Sequence, residues 1–69
     1  MNAEISPFNG RVAEAVKLLS DGLSAKEIAH RMNISTHTVN SYIGAAKLTV
    51  GVRTSIALAV MSVRKGWVQ

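Results

Sequence analysis

The sequence contains no cysteine, which excludes a disulfide framework, thiolate zinc sites and a cysteine nucleophile together. It has no acid beyond residue 27: Glu4, Glu14, Asp21 and Glu27 complete the set. Its longest uninterrupted apolar run, Ile56 to Met61, is far short of the ~20 residues that span a bilayer. No segment keeps a period of two, so a sheet is not expected. There is no repeat, low-complexity tract or linker. The opening Met1-Asn2-Ala3-Glu4 lacks the basic-then-apolar layout of a secretory signal. These absences predict one soluble cytoplasmic domain over 1–69, and the initial Met1 suggests a whole gene product.

Catalytic and metal chemistry are missing as well. His30 and His37 stand seven residues apart with no third ligand nearby in sequence. No acid lies within the third-helix region to pair with them, and no glycine-rich phosphate loop occurs. The serines stand where helix caps are needed. The chain is therefore expected to be no enzyme and to carry no cofactor and no metal.

What is present is a charge split. Residues 1–30 set four acids against Arg11, Lys17 and Lys26, a net of −1. Residues 31–69 carry Arg31, Lys47, Arg53, Arg64 and Lys65 with no acid, a net of +5. A basic half of this kind attracts polyanions over a long, salt-sensitive range. Nucleic acid is the first candidate partner. An anionic membrane surface is the second and weaker candidate, because no helix pairs a lysine-rich face with a large aromatic one, and no membrane partner is expected.

Caps and glycines divide the chain into four helices, an all-α fold. The first is predicted over about 7–20, opened by Ser6 with Pro7 in its first position or by Asn9. Phe8, Val12, Ala15, Val16 and Leu19 recur there at helical spacing, and Gly22 can make the left-handed stop. Ser24-Ala25-Lys26-Glu27 is a capping box that starts a second helix over about 25–32. Its Ile28, Ala29 and Met32 face inward, and Asn33 tolerates the left-handed turn that ends it. Ser35 caps a third helix over about 36–50, with Val39, Ile43, Ala46 and Val50 as one apolar stripe. Gly51-Val52 breaks the pattern before a fourth helix over about 54–65. The second and third helices have helix-turn-helix spacing. Ala29 lies where they must touch, and a bulky residue there would push them apart.

Placed at 100° per residue, the outward face of the third helix shows His37, Asn40, Ser41, Gly44, Ala45 and Leu48, with Lys47 on its flank. Asn40 has the two-pronged amide that pairs with adenine in a major groove. His37 and Ser41 can reach base edges or phosphates, and Gly44 and Ala45 let the backbone sit close to the groove floor. Thr36, Thr38 and Lys47 can hold phosphates. The open start of the second helix, with Ser24 and Lys26, is a further phosphate site. This face has no arginine, the commonest reader of bases, and Leu48 on it suits contact with protein. In the fourth helix, Ile56, Ala59, Val60 and Val63 form one stripe and are taken as the core side. Ala57, Leu58 and Met61 lie nearly opposite, as a dimer interface around a two-fold axis.

From Arg11 to Val52 the residues resemble the DNA-binding domain of LuxR/FixJ/GerE-type regulators. The matching strings are Leu18-Leu19 with Gly22, Ser24-Ala25-Lys26-Glu27-Ile28-Ala29, Ile34-Ser35 with Thr38-Val39, and Gly51-Val52. The family usually has glutamate at Val12, a capping threonine at Asn9, histidine at Tyr42, lysine at Thr49 and arginine at Ser55. The resemblance implies a bacterial or phage transcription factor whose third helix enters the major groove and whose fourth helix dimerises. GerE-like members stand alone at about this size. Two functions follow: a homodimeric regulator bound to double-stranded DNA, or an antiactivator of the same fold that seizes a LuxR-type regulator. An antiactivator would use Leu58 and Met61 for mixed dimers, or the Gly44/Ala45/Leu48 face.

Overall fold

The computed structural model describes residues 5–68; Met1 to Glu4, including one acid of the charge split, and Gln69 lie outside the described residues. Four helices and no strand occur among the described residues: α1 Gly10–Ser20, α2 Ala25–Met32, α3 Thr36–Val50 and α4 Ser55–Arg64. The all-α reading is thus correct.

The caps explain the boundaries. Ser24 Oγ accepts from Glu27 N at 3.1 Å while Glu27 Oε1 accepts from Ser24 N at 2.8 Å, the reciprocal pair that the sequence announces. Ser35 Oγ accepts from Thr38 N at 3.0 Å, and Thr54 Oγ1 from Ala57 N at 3.0 Å. Asn33 takes the left-handed conformation, φ 59°. Its amide and that of Ile34 turn back to the carbonyls of His30 and Ala29, closing the end of α2. Gly51 repeats this at the end of α3 with φ 77°.

The start of α1 differs from the earliest expected opening. Ser6 Oγ accepts from Phe8 N at 3.1 Å, so Pro7 sits in a turn and the helix begins at Gly10. Asn9 holds the cap position in extended backbone without a side-chain capping bond. The turn tucks Phe8 into the core, edge-on to Trp67 at 5.5 Å between ring centres.

The core joins Ala15, Val16 and Leu18 of α1, Ile28, Ala29 and Met32 of α2, Val39, Ile43 and Ala46 of α3, and Leu58 of α4. Leu19, expected inside, is only half-buried and rests against this cluster. The inward stripes of α2 and α3 are as the sequence predicts. The fourth helix is turned the other way. Leu58 is fully buried, and Ile56 (78% exposed), Val60 (44%) and Val63 (57%) face out. Leu58 therefore belongs to the protomer core and is unavailable to a partner. Ser62, one turn on from Leu58, is fully buried with it.

Ser62 Oγ is buried without a hydrogen-bond partner among the described residues. An unsatisfied buried hydroxyl costs free energy, and alanine also has the higher helix propensity. Ser62→Ala is expected to stabilise the fold by about 1 kcal/mol in urea unfolding.

Candidate nucleic-acid interface

Ala29 of α2 is 6% exposed in the core to which α3 also contributes, and its carbonyl accepts from Ile34 N at 3.0 Å. With one stripe of α3 locked into the core through Val39, Ile43 and Ala46, the rest must face outward. Thr36, His37, Asn40, Ser41, Ala45, Leu48 and Thr49 are exposed, and Gly44 and Lys47 are partly so. The structure thus brings His37, Asn40, Ser41 and Gly44 onto one open face of α3, as expected. A Cβ at Gly44 would meet nothing within 4 Å. No neighbour among the described residues accounts for this glycine, which costs about 1 kcal/mol inside a helix. The clearance faces outward, where another molecule would approach.

The remaining candidates have mixed surroundings. Thr38 is half-buried; its Oγ1 shares a 3.0 Å hydrogen bond with Ser35 Oγ and so belongs partly to the cap of α3. Ser24 Oγ likewise accepts from Glu27 N within the capping box, and its side chain also hydrogen-bonds the Glu27 carboxyl, so it belongs largely to the cap of α2. Lys26 is exposed at the start of α2 and lines a shallow depression with Leu23, Glu27, His30 and Arg31. His30 and Arg31 were not among the candidates from sequence. Their helical spacing from Lys26 and Glu27 was the signal that places all four on one side. Toward its end, the α3 face meets the approach to α1: Ala45 and Thr49 border a dip with Pro7, Asn9 and Val12. Leu48 beside them is 86% exposed.

The hydrogen bonds from the Ser24 amide and then from its side chain hold the Glu27 carboxyl below the usual carboxylate range, with Arg31 helping and desolvation opposing. A folded-state value below the unfolded one gives stability that is full above the unfolded value and is lost as pH falls through the folded one. Glutamine preserves the capping box but does not titrate. Glu27→Gln is therefore expected to flatten the acid limb of stability, read by urea unfolding from neutral pH downward.

On α4, Ala57 and Met61 are half-buried and border a shallow groove with Val52, Val60, Arg64 and Lys65. They remain accessible where Leu58 does not. Among the described residues, no single helix is long and apolar enough to cross a membrane, and no three of His, Cys, Asp and Glu gather where they could hold a metal ion.

Comparison with known proteins agrees with this geometry. The family described as "Bacterial regulatory proteins, luxR family" matches residues 10–62. The transcriptional regulatory protein DesR of Bacillus subtilis (strain 168) is 34% identical over 65 residues, 94% of this chain and 33% of that protein. The chain therefore spans about a third of the length of this relative.

Proposed function

The chain belongs to the luxR family of bacterial regulatory proteins, and from that premise we propose that it is a sequence-specific, non-enzymatic regulator of transcription acting on double-stranded DNA in the cytoplasm. One observation carries the reading: the polar face of α3 stands exposed on a helix whose opposite stripe is fixed in the core. In this reading α3 enters the major groove, with Asn40 set for adenine and His37 and Ser41 for base edges or phosphates. Thr36, Thr38 and Lys47 hold the backbone, joined by Ser24 and Lys26 at the start of α2. Gly44 lets the helix sit deep.

The regulator is a homodimer through α4. Ile56, Val60 and Val63 recur at the spacing of a helix-helix seam and are exposed, and Ala57 and Met61 flank them. A two-fold dimer presents two copies of α3 about one helical turn apart, which calls for a palindromic site. Selection of bound sequences from a random duplex pool tests this. Enrichment of an inverted repeat supports the reading, and recovery of unrelated sequences contradicts it.

Leu48 favours a second reading. An apolar residue 86% exposed on a face without arginine also suits a protein surface, as in an antiactivator that captures a LuxR-type regulator. Formation of a mixed complex with such a regulator, together with no binding to duplex, would favour this alternative.

A further inference from the structure

Arg11 lies in the first turn of α1, yet its guanidinium reaches the end of α2. One terminal nitrogen donates to Glu14 Oε1 at 3.0 Å, and the other donates to the backbone carbonyl of Met32 at 3.0 Å. The side-chain hydrogen bonds of the caps stay within three residues of sequence; this one crosses twenty-one. Met32 closes α2, and its carbonyl is among the last four, which a helix leaves without an internal donor. The amides of Asn33 and Ile34 serve His30 and Ala29 instead. Arg11 thus supplies a donor where the backbone turn does not, and it sets a cation at the negative end of the α2 dipole. Glu14 holds the fork in place. Only a planar guanidinium makes both contacts at once from fixed geometry.

We propose that Arg11 is a positioning residue for DNA recognition: by tying the end of α2 to α1, it fixes the turn that sets the angle of α3. The eight-residue α2 is anchored in the core by Ile28, Ala29 and Met32. Losing the tie frees the turn at Asn33 while the core of α1, α3 and α4 stays intact. The inference rests on the reading of α3 as the DNA-docking helix.

Arg11→Gln removes the charge, and Arg11→Lys keeps it while breaking the fork. Both are to be compared with the natural chain in duplex titrations over a salt series and in amide hydrogen exchange. Both variants are expected to bind roughly tenfold more weakly, the size of a hydrogen bond to a charged group. The salt slope of Arg11→Lys should be unchanged, and exchange at the Ile34 amide should quicken while that at Val16 does not. Wild-type affinity in Arg11→Lys, with a slope lower by ~0.9 in Arg11→Gln, would make Arg11 a phosphate contact and overturn the proposal. Unchanged exchange at Ile34 would overturn it too. If the natural chain binds no duplex, the reading of α3 fails separately, and the exchange measurement alone decides the tie.

Discussion

Leu58→Ala is expected to remove 2–5 kcal/mol, roughly, of folding stability. Leu58 is fully buried and is the apolar side chain that α4 contributes to the main core. A chain of 69 residues has a total stability of about 3–10 kcal/mol at ordinary values per residue. One such cavity therefore takes the protein to the edge of unfolding. Urea unfolding at several protein concentrations checks the location as well as the size of the effect. A loss inside the protomer is the same in dilute solution, where no dimer remains. A deficit that vanishes on dilution would put Leu58 at an interface and contradict its place in the core.

Val60→Glu is expected to do the reverse. Val60 is at the centre of the exposed Ile56/Val60/Val63 stripe, so a carboxylate there meets water in the monomer and changes its stability by about 0.5 kcal/mol or less. In a two-fold dimer the same carboxylate opposes its own copy across an apolar seam. Sedimentation should then show a monomer. Affinity for a palindromic duplex should fall by roughly 10²–10⁴, the advantage that a second linked binding event confers. Unaltered association of the variant would remove α4 from the interface.

These two substitutions mark where the sequence was legible and where it was not. The helix-turn-helix could be read because local chemistry specifies it. Ser24 and Glu27 can form a reciprocal cap without tertiary contact, and both hydrogen bonds are present. Asn33 accepts a left-handed turn at little cost and adopts one. In α3 the buried Val39, Ile43 and Ala46 follow one stripe and polar residues hold most of the rest, Leu48 apart, so its open face could be read from spacing. In α4 it could not: every residue from Ile56 to Met61 is apolar, and periodicity cannot choose a face. The polar residue that follows, Ser62, is itself fully buried, so it marks no solvent face either. Of the two openings the sequence allowed for α1, Asn9 holds and Ser6-Pro7 does not, since the competing bond from Phe8 N to Ser6 Oγ draws Pro7 into a turn. The Arg11 tie was invisible because no sequence pattern links residues twenty-one apart.

The departures from the usual family residues have a place in the same picture. Thr49 Oγ1 donates to the Ala45 carbonyl at 2.9 Å, so the position that usually carries a lysine turns back onto its own helix. Ser55 is half-buried at the start of α4. With neither charge present, the proposed interface relies on fewer cations, Lys26 and Lys47 among them, and a shallow salt dependence is expected.

Titration of the natural chain with random-sequence and selected duplexes across a salt series most directly tests whether α3 docks into DNA. The account predicts retardation near 50 mM salt, roughly, and affinity that declines linearly in log–log form as salt rises, with a steepness set by the phosphates contacted. Selected duplexes should bind more tightly than random ones. Absence of any complex at that low salt would contradict the account, whatever else the fold can bind.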